Sequence, residues 1–190
     1  MEDVPRVARM TPTFDTARLH LRPPSPDDAD AVFAGWASDP AVTRWLTWRP
    51  HERVDTVREF LAHQATLVAA GGQHAWVLVE RAGGTPIGML DAVVDGPRVV
   101  LGYALARSRW GHGYMVEALR PVVGWALDQP AIHRVWAFCD VDNHASARVL
   151  EKAGLTFEGV LRRWCLHPNA GAVPRDCRVH ARVREEGSPS

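Results

Sequence analysis

The feature that most constrains the fold of this chain is residues 107–119, where two glycines stand between an apolar run and a helical pattern. Gly111 and Gly113 lie where the backbone has to turn without interference from a Cβ. The residues before them favour a strand, and those after them favour a helix. The first amides of such a helix, at the positive end of its dipole, suit a phosphate group. Since many strand-to-helix turns carry glycines for geometry alone, this segment by itself is weak evidence of a ligand.

The composition of the chain excludes several classes of protein. With 190 residues, of which 46% are hydrophobic, the chain suits one globular domain. The 22 Lys and Arg residues balance 22 Asp and Glu residues, so no positive field favours nucleic acid or an anionic membrane. Three cysteines and a polar start favour a reduced, cytoplasmic setting. No apolar run approaches the length that spans a bilayer.

The hydrophobic pattern along the chain changes from helical spacing to strict alternation and back. Strands are predicted at 17–22, 74–80, 86–94, 99–106, 133–139, 155–163 and 177–183. Helices are predicted at 29–38, 54–70, 114–127 and 144–153, with a short helical turn at 42–46 that leads into a tryptophan-rich connection, one wall of a possible pocket. This order predicts a mixed α/β domain at 16–184. Residues 1–15 are expected to form a loose arm, and residues 185–190 a disordered tail.

A second junction between a strand and a helix, Asp140 to Ser146, follows the glycine turn along the chain. Strands that lead into adjacent helices are expected to be parallel neighbours, so both junctions would open on one crevice. Asn143 and Ser146 are three residues apart at the start of a helix and therefore lie close together. Considered alone, these residues are better explained as helix caps than as catalytic residues. A functional role gains support only because the glycine turn at the first junction suits a phosphate.

Taken together, six motifs resemble those of the GNAT superfamily of acyl-CoA-dependent N-acyltransferases, and in particular its Rim-type ribosomal-protein N-terminal acetyltransferases. They are Ile87-Gly88 and residues 101–105, 110–118, 133–137, 142–154 and 157–162. The resemblance runs from about residue 16 to 184. It implies a central, mostly antiparallel sheet of about seven strands with one splayed parallel pair, flanked by about four helices.

The resemblance also implies acetyl-CoA as cosubstrate. Splayed strands near 105–107 and 141–143 would pair with the pantetheine arm, and amides at 110–115 would hold the pyrophosphate. Ser108 departs from the family, which usually has Gln or Arg there, and Arg107 or Arg109 would help instead. The implied cofactor-binding residues are Leu105, Ala106, Arg107, Arg109, Trp110, Gly111, His112, Gly113, Tyr114, Met115, Asn143 and Ser146.

Transfer of an acyl group to an amine requires a neutral nitrogen and a proton for the departing thiolate. Many relatives supply that proton from a tyrosine at the position of Leu150, whereas in the Rim-type branch the serine, here Ser146, is the expected donor. The general base stays open among Asp91, Glu80 and water. Asp91 is predicted on the same face of its strand as Ile87, Met89 and Val93, where it could receive the amine proton through water. A strand-end acid pointing into solvent is nevertheless the favoured interpretation of Asp91, and Glu117 is interpreted as a structural acid.

Four soft side chains, Cys165, His167, Cys177 and His180, invite a metal site, but their spacing is not a standard one, and alternation along a strand would separate Cys177 from His180. No metal is therefore expected. Cys139 is interpreted as a buried strand thiol.

The sequence thus predicts an N-acetyltransferase that acts by direct attack in a ternary complex, with a protein N-terminus or a small molecule as amine acceptor. Two alternatives remain, a non-catalytic acyl-CoA-binding or sensing protein and a transferase for longer acyl groups. A homodimer is a further open possibility.

Overall fold

A computed structural model describes residues 11–71 and 73–185 of the chain. Over these ranges it contains eight strands and five α-helices. The strands are β1 (Phe14–Asp15), β2 (Leu19–Arg22), β3 (Gln73–Glu80), β4 (Pro86–Asp95), β5 (Arg98–Leu105), β6 (Arg134–Asp140), β7 (Thr156–Cys165) and β8 (Arg175–Val183). The helices are α1 (Ala29–Val32), α2 (Pro40–Thr43), α3 (Val54–Ala70), α4 (Tyr114–Asp128) and α5 (His144–Lys152).

All eight strands form one sheet in the order β1-β2-β3-β4-β5-β6-β8-β7. Its neighbouring strands are antiparallel except β5 and β6, which are parallel. The predicted mixed α/β fold with one parallel pair is confirmed.

The strand that the sequence did not predict is β1, which lies within the segment assigned to a loose arm. Phe14 pairs with Leu21 of β2, and the indole of Trp76 donates to the carbonyl of Pro12 at 2.6 Å. Residues 12 to 15 are therefore held against the sheet, and the assignment of a loose arm up to residue 15 was wrong for them. Residues 1–10 of the predicted arm and residues 186–190 of the predicted tail lie outside the described residues.

The predicted helix at 29–38 is divided into two kinds of turn. The four residues of α1 are followed by a wider π-helical turn, Phe33–Ala37. Such turns are frequent at functional sites because the extra residue redirects side chains. Here Trp36, within the wide turn, is 2% exposed and lines a cleft that is described below.

Two hydrophobic clusters cover the two faces of the sheet. On one face, Leu119 and Val122 of α4 and Leu150 of α5 are completely buried against side chains such as Leu90 and Val135. On the other face, Val57 and Leu61 of α3 pack with Val32 and Met89. The sheet therefore separates a face covered by α4 and α5 from a face covered by α1, α2 and α3.

The parallel pair β5–β6 holds together only at its beginning. Arg98, Val99 and Val100 pair with Arg134, Val135 and Trp136, and no pairing continues between the described residues that follow in the two strands. By contrast, β6 pairs with β8 from Arg134 to Asp140. The carboxyl ends of β5 and β6 therefore splay apart and leave a gap in the middle of the sheet.

Candidate active site

A cleft of about 910 Å³ lies at the gap between β5 and β6 and receives side chains from both faces of the sheet. Both junctions that the sequence singled out border it, with Gly111 and Gly113 from the first and Asn143 and Ser146 from the second. The tryptophan-rich connection between α2 and α3 also contributes, through Trp45 and Trp48, as the sequence predicts.

The glycine turn has the geometry that its sequence requires. Gly111 and Gly113 adopt φ values of +79° and +80°, in the left-handed region that favours glycine. Gly113 is the N-cap of α4, whose fifteen residues direct the positive end of the helix dipole at this turn. Backbone amides and dipole together make this lip of the cleft a site for an anion.

Arg18 and Glu117 fix the turn from behind. Glu117 accepts hydrogen bonds from the Thr16 hydroxyl at 2.7 Å and the Arg18 backbone at 2.8 Å, and it forms an ion pair with the Arg18 guanidinium at 2.6 Å. Arg18 also donates to the carbonyl of His112 and lies 4.1 Å from the ring centre of Tyr114. Burial alone raises the pKa of Glu117, but the bonds from Thr16 and Arg18 lower it overall. Glu117 therefore has the structural role that the sequence assigned to it.

Replacing Gly113 with Ala is expected to destabilise the fold by roughly 1–2 kcal/mol, since a Cβ is strained at this φ. The nearest atom to an added Cβ is 3.8 Å away, so backbone strain and not a clash is the cause. The matched control is Gly124→Ala within α4, where a Cβ meets nothing within 4 Å and helix propensity predicts a gain of about 1 kcal/mol. Thermal unfolding measures both, and shifts of the same sign would contradict the expectation.

The basic residues of the turn are engaged with acids of the protein. Arg107 lies 3.1 Å from Asp39, and Arg109 lies 2.7 Å from Glu80. Glu80 accepts a second hydrogen bond from the Tyr114 hydroxyl at 2.7 Å. The bond from Arg109 is the largest cause of a lowered pKa at Glu80. A carboxylate that is paired twice and ionised in this way is a poor proton acceptor.

Trp110 connects the turn to the end of β5. Its indole donates to the carbonyl of Leu105 at 2.8 Å, while the next amide, that of Ala106, donates to Ile87 of β4. Because successive residues of a strand point their amides to opposite sides, Leu105 and Tyr103 point theirs toward the gap. This free edge of β5 lies beside the glycine turn.

The second junction confirms the capping interpretation of Asn143. Its side-chain oxygen accepts the backbone amide of Ser146 at 3.1 Å and so caps α5. Asp140, which is completely buried, accepts the amide of Asp142 and pairs with Arg175 at 2.5 Å. Because the cap uses the backbone of Ser146, the hydroxyl of that residue is free for other contacts.

The Ser146 hydroxyl lies 2.7 Å from the hydroxyl of Tyr103, a contact that sequence reasoning missed. Burial raises the pKa of Tyr103 above its ordinary value. Strand alternation places Tyr103 on the α5 face of β5, but nothing in the spacing couples it to Ser146. Leu150, the position where relatives carry a tyrosine, is completely buried in the core. Ser146 and Tyr103 therefore place a pair of hydroxyls on this side of the cleft.

Asp91 lies on the opposite face of the sheet, at the floor of the cleft. Its carboxylate rests over Gly102, where a Cβ would stand 2.8 Å from Oδ1 and 2.9 Å from Oδ2. Burial raises its pKa to about 6. The interpretation of Asp91 as a solvent-facing acid was therefore wrong. Asp91 shares its face with Met89, as predicted, but Ile87 belongs to the other cluster because the pairing of β3 and β4 is irregular near Leu78.

The soft side chains near β8 are divided between two sites. Cys177 lies 3.8 Å from His167, whereas His180 lies 3.6 Å from Glu151 of α5. Among residues 11–71 and 73–185, no group of three or more His, Cys, Asp or Glu side chains is placed to hold a metal ion. Cys139 is buried, and burial raises the pKa of its thiol to about 11, which disfavours a nucleophilic thiolate.

In the part of the chain that the structure describes, no helix combines the length and the apolar character needed to cross a membrane.

The splayed sheet, the glycine turn at a helix N-terminus and the cleft between them define an acyl-CoA-dependent acyltransferase. Residues 18–156 match the family described as acetyltransferase (GNAT) domain. The chain belongs to this family, and it is an acyl-CoA-dependent acetyltransferase.

Relatives and solved structures agree with this assignment. The chain is 29% identical over 178 residues to YoaA of Bacillus subtilis (strain 168), named an uncharacterized N-acetyltransferase, with 92% of this chain and 98% of YoaA covered. The microcin self-immunity acetyltransferase MccE, solved with acetyl-CoA and AMP, has a similar fold, with TM-score 0.80, 17% identity and coverage of 88% and 93%. RimJ of Mycobacterium smegmatis, solved with CoA-disulfide, gives TM-score 0.78, 22% identity and coverage of 90% and 85%. The structural neighbours thus include Rim-type acetyltransferases.

Proposed function

We propose that this protein transfers the acetyl group of acetyl-CoA to a primary amine by direct attack of the nitrogen on the thioester carbonyl. The observation that carries the proposal is the placement of Asp91 and the Tyr103–Ser146 pair on opposite faces of the sheet, at one gap. Attack needs a base on the side of the nitrogen and a proton donor on the side of the sulfur. The gap between β5 and β6 connects these two sides.

Acetyl-CoA would enter across the lip formed by the glycine turn. Amides of residues 110–115 would bind the pyrophosphate, with Arg109 beside them. The free edge of β5 at Leu105 would pair with the pantetheine arm, and Asn143 would contact the arm from the other lip. Backbone groups supply most of these contacts, so Ser108 at the position where the family has Gln or Arg does not prevent binding.

The proposed reaction forms a C–N bond and breaks the C–S bond in one ternary complex. The amine nitrogen attacks the carbonyl carbon and becomes acidic, and its proton passes to the carboxylate of Asp91, directly or through a water. The C–S bond then breaks, and the thiolate takes the proton of the Ser146 hydroxyl, which Tyr103 replaces through their hydrogen bond. The products are an N-acetylated amine and CoA thiol. Before the next turnover, Asp91 releases its proton to solvent and Tyr103 takes one proton from solvent, which restores both groups.

The test is the release of CoA thiol from acetyl-CoA by the purified protein, with and without amines. The panel contains peptides with free N-termini, alkylamines, arylalkylamines, polyamines and aminoglycosides. We expect at least one amine to accelerate thiol release while CoA raises the melting temperature. CoA stabilisation without acceleration by any amine would identify a binding or sensing protein and contradict the proposal. A longer acyl-CoA in parallel tests whether acetyl is the preferred group.

A further inference from the structure

The part of the cleft on the Asp91 face differs in character from the part that faces the glycine turn. Its walls come from the π-helical turn, the connection between α2 and α3, α3 itself and β4. They present mainly aromatic and apolar side chains, namely Trp36, Trp45, Trp48, His51, Phe60 and Met89. Several of these rings pack on one another, with 5.4 Å between the ring centres of Trp48 and His51 and 6.2 Å between those of His51 and Phe60.

Negative charge in this cleft is scarce. Of the described residues that line it, two are acidic, Asp91 and Asp142. Asp142 lies at the other lip and is paired with Arg175 at 2.5 Å. Within residues 11–71 and 73–185, the carboxylate of Asp91 has no hydrogen-bond or ion-pair partner. A desolvated carboxylate without a partner is costly unless a ligand supplies the opposite charge.

Positive and neutral groups complete this side of the cleft. Burial lowers the pKa of both His51 and His167, so both imidazoles are neutral at pH 7. The guanidinium of Arg44, at the mouth, is a positive group and lies 4.7 Å from the ring centre of Trp45. One ammonium can therefore pair with Asp91. A second ammonium on the same ligand would find no further unpaired carboxylate among the described residues that line the cleft, and it would meet the like charge of Arg44.

We propose that the acceptor is a primary monoamine attached to an aromatic or bulky apolar group, with its nitrogen beside Asp91 and its body against Trp36, Trp48 and Phe60. Such a body gains buried apolar area and ring contacts from these walls. The proposal rests on the proposed transfer to an amine. A free arylalkylamine and a peptide with an aromatic N-terminal residue share this chemistry. Polyamines and aminoglycosides, with several positive charges, do not.

The experiment compares kcat/KM for thiol release from saturating acetyl-CoA with five acceptors. These are tryptamine, a tripeptide amide with N-terminal Phe, the same tripeptide with N-terminal Ser, ethylamine and spermidine. We expect tryptamine or the Phe peptide to exceed ethylamine and spermidine roughly 10- to 150-fold, since burial of one aromatic group contributes roughly 1.5–3 kcal/mol and each 1.4 kcal/mol is about tenfold. Tryptamine above the Phe peptide identifies a small-molecule acceptor, and the reverse order identifies a peptide.

Trp48→Ala tests whether the aromatic side chains on the Asp91 face of the cleft contact the acceptor. It is expected to lower kcat/KM for the preferred aromatic acceptor at least about tenfold and to leave that for ethylamine within a factor of about three. The matched control is Trp164→Ala, because Trp164 is 50% exposed and does not line the cleft. CoA-induced stabilisation measured on each variant shows that the cofactor site is intact.

The outcomes separate this inference from the proposed function. Preferred use of spermidine, or an equal loss for ethylamine and tryptamine in Trp48→Ala, would overturn the assignment of an aromatic monoamine while transfer to an amine stands. If no amine accelerates thiol release although CoA stabilises the protein, the proposed function fails and the inference fails with it.

Discussion

Asp91→Asn is expected to lower kcat/KM about 100-fold or more, the usual contribution of a positioned general base. The amide keeps the size of the side chain and the space over Gly102, but it cannot accept the proton that the attacking nitrogen loses. Acetyl-CoA binding should be unchanged, because Asp91 lies on the face of the sheet away from α4 and α5. Steady-state kinetics and CoA-induced thermal stabilisation measure the two effects separately.

The pH dependence of kcat/KM follows from the raised pKa of the Asp91 carboxyl group. With a pKa of about 6, Asp91 is ionised at pH 7 and becomes protonated as the pH falls, so kcat/KM should decline below about pH 6. Asp91→Asn should lack this acidic limb. Glu80→Gln is the control, because Glu80 is already paired with Arg109 and Tyr114. If the acidic limb disappears in Glu80→Gln and persists in Asp91→Asn, Asp91 is not the base.

Asp91→Asn should also stabilise the fold at neutral pH. The pKa of Asp91 rises from 3.8 to about 6 on folding, so the folded chain holds the proton more tightly than the unfolded chain does. Stability from this group is therefore highest below pH 3.8, falls as the pH rises to 6 and stays low above it. Asp91→Asn removes a penalty of about 3 kcal/mol at pH 7. A gain in melting temperature together with a loss of activity is typical of a site strained for function.

Gly102→Ala offers an independent test that leaves Asp91 in place. Its Cβ would stand within 2.9 Å of both carboxylate oxygens and would force the side chain to rotate. Activity should fall at least about tenfold, since even small displacements of a catalytic group are costly. Unchanged activity in Gly102→Ala would mean that the position of this carboxylate over β5 does not matter.

Sequence patterning predicted most of the fold because periodicity records burial directly. The helix α3 has its predicted bounds at both ends, and α4 ends one residue later than predicted. Each has a continuous apolar face and a glycine or proline close to its ends. The two-residue strand β1 is too short to show a period, and the wide turn at Phe33–Ala37 depends on how its side chains pack. Neither has a local signal in the sequence.

The site was predictable only where it depends on local backbone. Gly113 and Asn143 were found because a left-handed turn and a helix cap are encoded within a few residues. The orientation of Asp91 depends on Gly102 of the neighbouring strand, and the partner of Ser146 is a tyrosine 43 positions away. Such contacts depend on the register between neighbouring strands and on the separation of β5 from β6. Neither is indicated by the residues next to Asp91 or Ser146 in the sequence.

Ser146→Ala is expected to lower kcat about 100-fold at saturating acetyl-CoA, the range for a positioned proton donor. The cap of α5 uses the backbone amide of residue 146, so the substitution removes the hydroxyl and preserves the helix start. The melting temperature should therefore change little. Full turnover by this variant would show that the thiolate obtains its proton elsewhere.

Tyr103→Phe separates a relay through two hydroxyls from a single donor. The ring keeps its packing, while the bond of 2.7 Å to Ser146 is lost and the serine has no neighbouring hydroxyl to replace its proton. We expect kcat to fall about tenfold with the KM for the amine unchanged, because Tyr103 acts through Ser146 and does not bind the acceptor. In the double variant the loss should equal that of Ser146→Ala alone, since residues that act as one unit are not additive. Losses that multiply would instead show that Tyr103 and Ser146 contribute independently, and the relay would be wrong.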